Sequence, residues 1–177
     1  KYFKGDIVMR VLSELEPNNV FSFFEDICNI PHPSYKEEKI SNYLVDFAKE
    51  RKLEYYQDSL NNVIIIKEAS KGYEDAAPII LQGHMDMVCE KTPDCDKNMD
   101  EDGLYLEVNG DFISAKGTTL GGDDGIAVAY ALAILDDDSI AHPRLEFVCT
   151  VSEEVGMEGA SSIDVSMLKG KKLLNMD

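Results

Sequence analysis

Six residues of this chain have the types and the setting to hold divalent cations. They are His84, Asp86, Asp123, Glu153, Glu154 and Asp177. His84 and Asp86 follow one apolar run, Glu153 and Glu154 a second and Asp177 a third, while Asp123 stands where an apolar helical pattern begins. One imidazole with several carboxylates is a ligand set for a borderline metal such as zinc, manganese or cobalt, and the surplus of carboxylates points to two ions sharing a bridge. His84 and Asp86, two apart, share a face wherever the backbone is extended. Glu153 and Glu154 cannot both face one point from a regular strand, so one is expected to ligate while its neighbour, turned by the loop, handles protons. Taken singly, each residue has a plainer reading: Glu153, Glu154 and Asp86 as solvated charges, Asp177 as a chain end, His84 as a hydrogen-bonded structural histidine. Their joint order and context favours the metal site.

The elements that must position them are legible from periodicity. The turn Gly117-Thr118-Thr119-Leu120-Gly121-Gly122-Asp123-Asp124-Gly125 has four glycines in nine residues, a heavy entropic cost for the placement of two carboxylates. It leads into a largely buried helix with the stripe Ile126, Ala129, Tyr130, Ala133 and Ile134. Upstream, Ile7, Val8, Val11, Leu12 and Leu15 predict a short helix stopped by Pro17, with Met9 read as the natural start and residues 1–8 as an upstream extension. Asn18 or Asn19 is expected to cap a second helix, with Val20, Phe23, Phe24, Ile27 and Cys28 on its apolar face. Pro31-His32-Pro33 predicts an extended turn with His32 at the surface, and Ser34 with Glu37 reads as a capping box for a helix striped by Ile40, Tyr43, Leu44, Phe47 and Ala48.

Strands are expected at 53–58 and 63–67, joined at Asn61-Asn62, and at 78–82, 145–151 and 173–175, with a hairpin of 104–108 and 112–115 about Asn109-Gly110. Val63-Ile64-Ile65-Ile66 is apolar on both faces, as in a sheet covered on both sides. Residues 91–103 read as an acidic surface loop. An EF-hand beginning at Asp94 fails there, because Met99 and Tyr105 stand where glycine and glutamate are required. The predicted fold is α/β, a mixed, largely parallel sheet with helices on both faces. In such sheets ligands bind beyond the carboxyl ends of the strands, where five of the six candidates lie.

Composition narrows the function further. The chain has 177 residues, 44% of them hydrophobic and 29% charged, enough for one domain with a sizeable core. Its 34 acidic against 17 basic residues give a formal charge of −17, which argues against nucleic acid as a partner. Cys28, Cys89, Cys95 and Cys149 form neither a zinc-ribbon nor a redox spacing, and fit a reducing compartment. No signal-peptide pattern or apolar run of transmembrane length interrupts the sequence, so no membrane partner and a cytoplasmic location are expected. G-x-S-x-G and the G-K-[ST] ending of a phosphate loop are both missing, which disfavours a nucleophilic hydrolase and a phosphate-binding enzyme.

Four segments carry a family resemblance: Ile30-Pro31-His32-Pro33-Ser34, Leu81-Gln82-Gly83-His84-Met85-Asp86-Met87-Val88, the glycine-rich turn through Asp123, and Glu153-Glu154-Val155-Gly156-Met157-Glu158-Gly159-Ala160. In order and spacing they resemble the aminoacyl-histidine (Xaa-His) dipeptidases, co-catalytic dizinc peptidases related to the carnosinases, from about Asn18 onward. The resemblance implies metal-dependent hydrolysis of dipeptides. It implies that Asp123 bridges two metals, zinc foremost with manganese or cobalt possible, that His84 and Asp177 complete one site, and that Glu154 serves the other. Asp86 would orient the His84 imidazole, and Glu153 would be the general base. A cis peptide is expected between Asp123 and Asp124. Asp124 itself departs from the asparagine usual in close relatives. Family members also continue into a lid and dimerisation domain and return with a last histidine ligand. The expected organisation is therefore an extension and short helix at 1–17 and, at 18–177, the N-terminal portion of a catalytic domain. On that reading the fragment is inactive, and the whole protein is a homodimer acting on dipeptides. Rival readings are a related amidohydrolase, such as a deacetylase or tripeptidase, and a non-catalytic metal-binding module.

Overall fold

The computed structural model describes residues 10–177. Met9 as a start, and the part of the predicted first helix that falls on residues 1–9, lie outside them. The elements run α1 (Asn18–Cys28), α2 (Glu38–Glu50), β1 (Glu54–Gln57), β2 (Val63–Lys67), β3 (Ile79–His84), β4 (Leu106–Asn109), β5 (Phe112–Ala115), α3 (Gly122–Asp136), β6 (Leu145–Thr150), α4 (Glu158–Ser162) and β7 (Lys172–Asn175).

Five strands form one mixed sheet in the order β1-β2-β6-β3-β7. β1, β2 and β6 pair antiparallel, whereas β6, β3 and β7 are mutually parallel neighbours. Every residue of β2 is buried, as its two-sided apolar run predicts. Val63, Ile65, Leu81, Phe147 and Cys149 face a core closed by α1, α2 and α3. Ile64, Ile66, Ile80 and Val148 face the other way, beneath Ile163, Met167 and Leu168 from the chain that follows α4. The β4–β5 hairpin stands apart as a two-stranded sheet, turning at Gly110 with φ 61°.

The second face is fastened by one buried carboxylate. Glu146 accepts from Arg144 Nε at 2.8 Å and from the backbone N–H groups of Lys169 and Gly170, both at 2.9 Å. Arg144 also pairs with Glu68. The ion pair and two peptide donors together compensate a charge that is fully removed from water.

Several local expectations give way to longer-range contacts. Residues 11–17 form turns instead of a helix, with a cis Glu16–Pro17 bond. Leu12 is buried there, and the Val11 and Leu12 N–H groups donate to the buried Glu25 carboxylate, which holds the segment outside helical geometry. Neither Asn18 nor Asn19 caps α1. Pro17 occupies that position, and Asn19 Oδ1 accepts only from the adjacent Val20 N–H. Ser34 and Glu37 do not cap α2 either; Glu37 sits at the cap with no side-chain cap bond. His32 is buried rather than at the surface, its ring against the Ile30 carbonyl. α4 is too short to show a period, and the sequence reading missed it.

Candidate active site

The parallel half of the sheet decides where chemistry collects. Because β6, β3 and β7 run in one direction, their carboxyl ends open on a single edge, with His84 paired to Thr150 and Gln82 to Asn175. The residues at and just beyond those ends therefore share a neighbourhood: His84, the last of β3, through Asp86, Ser152 through Glu154 after β6, and Asp177 after β7.

α3 delivers Asp123 to the same edge. Gly121 takes the left-handed conformation (φ 68°), and a side chain there would strike Met87, its Cβ falling 2.7 Å from the Met87 sulfur. Asp123 and Asp124 keep non-helical dihedrals and are joined by a cis peptide. The two carboxylates part company. The Asp123 side chain is 69% exposed beside His84, whereas Asp124 turns inward and accepts the His84 backbone N–H at 3.0 Å. Gly83 leaves the room for this, since a Cβ on it would come within 2.5 Å of Asp124 Oδ2.

His84 is oriented through both ring nitrogens. Nδ1 lies 3.0 Å from the Asp86 carbonyl oxygen and 3.3 Å from Asp86 Oδ1, so it is the donor and Nε2 is turned to the carboxylates. Nε2 lies 3.1 Å from Asp123 Oδ1 and 3.9 Å from Glu153 Oε2. Ligating atoms of His84, Asp123 and Glu154 all fall within 4.8 Å of one another. Two ligands on one tetrahedral zinc ion stand about 3.3 Å apart, so the imidazole and Asp123 are already at ligand spacing. A borderline divalent cation fits this mixed nitrogen and oxygen donor set.

Asp86 is the best-anchored group of the site. Besides the imidazole, it accepts from the N–H groups of Glu153 (3.0 Å) and Glu154 (3.3 Å) and from Ser34 Oγ (2.7 Å). Burial opposes its charge, but these donors outweigh that and hold its pKa below the usual aspartate value. Burial likewise disfavours an imidazolium at His84, yet the hydrogen bond and charge of Asp86, with Asp123 and Asp124, raise its pKa to about 9. Asp124 is pushed up to about 6, chiefly by burial. Glu154 is raised by burial and by the neighbouring Asp123 charge. Such crowding of like charge is what a bound cation would relieve.

Of the six predicted residues, His84, Asp123 and Glu154 converge, with Glu153 beside them and Asp86 behind the imidazole. Asp177 lines the same apolar hollow as Glu153, and its charge reaches Asp124, but it lies outside the three-residue cluster. The sequence reading missed the Ser34 and Glu37 contacts to this end of the sheet. Both residues were visible as a local capping pattern, and Ser34 also as the end of one segment of the family resemblance.

No protein-family model matches the chain. It is 40% identical over 169 residues to the cytosol non-specific dipeptidase of Escherichia coli, covering 96% of this chain and 35% of that protein. Its fold matches the crystal structure of the aminoacylhistidine dipeptidase from Vibrio alginolyticus with a TM-score of 0.91 and 41% identity, over 94% of this chain and 34% of that one. A tripeptidase from Staphylococcus aureus shares the fold alone, at 22% identity and a TM-score of 0.75. The chain thus spans about a third of the length of these dipeptidases. The family resemblance and the mixed α/β fold expected from sequence are shown over that span.

Proposed function

We propose that this chain, alike in sequence and fold to about a third of an aminoacyl-histidine dipeptidase, is the N-terminal portion of a catalytic domain that hydrolyses Xaa-His and other dipeptides with divalent metal ions. One observation carries the reading: His84 Nε2, Asp123 and Glu154 converge while the Glu153 carboxylate lies 3.9 Å from the same imidazole. His84, Asp123 and Glu154 would hold metal, Asp123 as the bridge between two zinc ions, with Asp177 completing the His84 site. When bound, the ions supply Lewis acidity and a water acidified toward neutral pH.

The chain's own groups do the rest. Asp86 keeps Nδ1 protonated and Nε2 directed at the cluster, the outer contact that fixes a ligand's tautomer. Glu153, 25% exposed at the open edge, is placed to take a proton from water and return it to the leaving amine. Its partner Glu154 points into the cluster because the Ser152 backbone is left-handed (φ 53°), which breaks the strand's alternation.

The name of the similar Escherichia coli protein, a cytosol dipeptidase, supports a cytoplasmic location. Among the described residues no helix is long and apolar enough to cross a membrane. By the same resemblance, the substrate's carboxylate and a homodimer contact fall to sequence outside these 177 residues, so the fragment alone turns over little or no dipeptide. The test is a zinc or manganese titration of the Glu153→Ala and Asp123→Ala variants, with Xaa-His hydrolysis followed in the whole protein. Glu153→Ala keeps metal and loses turnover; Asp123→Ala loses both. Full turnover in either variant overturns the proposal.

A further inference from the structure

The segment between α1 and α2 reaches the far end of the sheet with two side chains. Ser34 Oγ donates to Asp86 Oδ2 at 2.7 Å, and Glu37 Oε1 accepts from the Ser152 N–H at 2.9 Å and the Ser152 hydroxyl at 2.8 Å. Glu37 is buried, and Ser34 half-buried. The segment is itself fastened to the chain after β3, with Pro33 bridged to Met87 and the Met87 N–H donating to the His32 carbonyl. Between the two side chains, Tyr35 is left-handed (φ 68°) although the residue is 62% exposed. A bulky residue adopts that conformation only where the surroundings impose it, and here the contacts on either side of it do.

We propose that Ser34 and Glu37 are positioning residues for the metal site, a brace that fixes Asp86 and the Ser152–Glu154 turn relative to each other. Neither touches the cluster. Ser34 holds the Asp86 carboxylate, whose two oxygens orient His84 and receive the Glu153 and Glu154 N–H groups. Glu37 secures the left-handed residue that starts that same turn. The geometry of base and ligand is thereby set by a connection some fifty and more than a hundred residues upstream, Ser34 being 52 positions from Asp86 and Glu37 115 from Ser152. The inference rests on the metal reading above for its function, and on the hydrogen bonds alone for its mechanics.

The two parts are separable by experiment on this chain. Amide hydrogen exchange at Ser152, Glu153 and Glu154, without metal, reads the brace; cobalt(II) titration, followed by its visible spectrum, reads the site. Ser34→Ala and Glu37→Ala are expected to speed exchange at those three amides but not in β2, and to weaken cobalt binding about tenfold or more, with Ser34→Thr and Glu37→Gln restoring most of it. Exchange and cobalt affinity within about twofold of the unaltered chain in both alanine variants would overturn the proposal. Failure of Ser34→Thr to improve on Ser34→Ala, at equal thermal midpoint, would do the same. If the unaltered chain takes up no cobalt, or His84→Ala takes it up equally, the metal reading fails instead, and the three amides still decide the brace.

Discussion

Gly83→Ala tests the packing that brings β3 against α3. The glycine lies in β3 between β6 and β7, and no left-handed backbone there forbids alanine; the space does. A Cβ would lie 2.5 Å from Asp124 Oδ2, 3.5 Å from Asp124 Cγ and 3.6 Å from the Ala127 Cβ. Asp124 is buried at the head of α3, so its carboxyl has little freedom to swing aside. Crowding of this kind costs about 1–3 kcal/mol, and loss of the acceptor for the buried His84 N–H costs about 1–3 more. Against this, alanine restricts the unfolded chain and returns about 0.4–1 kcal/mol. The net loss is about 1–5 kcal/mol, which for a chain of this size lowers the thermal midpoint by about 2–20 °C. Circular dichroism melts and urea titrations of the single and double variants measure it. In an Asp124→Ala background the added methyl occupies the vacated space, so the same substitution should cost under about 1 kcal/mol and the two should couple strongly. Equal cost in both backgrounds, or a midpoint unchanged by Gly83→Ala alone, refutes the steric account.

Two further outcomes follow from buried carboxylates. Asp124 is raised, mainly by burial, to about 6 in the metal-free chain, so its ionisation withdraws stability as pH climbs from the ordinary aspartate range through about 6. Asp124→Asn keeps an acceptor for the His84 N–H and removes that charge; thermal melts in chelator should show a gain at neutral pH, on the order of 2 kcal/mol, that shrinks in acid. A variant no more stable at neutral pH would contradict this. Glu146 behaves in the opposite sense. Burial opposes its charge, but Arg144 and the Lys169 and Gly170 N–H groups outweigh it and lower its pKa, so its contribution is present above the ordinary glutamate range and lost as pH falls through the lowered value. Glu146→Gln should cost about 2–4 kcal/mol near neutral pH in urea titrations, with the gap closing in strong acid. A gap that stays constant with pH would show that the carboxylate's charge is not what holds Lys169 and Gly170.

What the sequence discloses is what is encoded locally or by period. The Asn109-Gly110 turn places β4 against β5 because its left-handed residue suits a tight hairpin, and the two-faced run of β2 announces burial whatever its partners. The candidate ligands were legible for a related reason, since His84, Glu154 and Asp177 are polar residues that follow apolar runs and Asp123 stands where one begins. Which strands lie side by side was not legible. The convergence of His84 with Glu154 depends on β6 pairing parallel to β3, a choice made by the whole sheet. Ser34 and Glu37 were misread on the same ground. Serine followed three residues on by glutamate satisfies a helix cap on paper, but the tertiary partners Asp86 and Ser152 compete for those side chains and win. His32 between two prolines looked like a surface turn, yet that turn is pressed against the chain after β3.

The outermost described strand of the parallel trio is the one that carries Asp177. Among the described residues β7 is hydrogen-bonded to β3, and Asp177 follows two positions past its end. If Asp177 ligates as proposed, its capture and the mooring of β7 become one equilibrium, because whatever draws that carboxylate inward must also arrest the strand that carries it. Linkage then runs both ways: each cation gained tightens β7 against β3, and each contact that steadies β7 is returned as affinity for the cation.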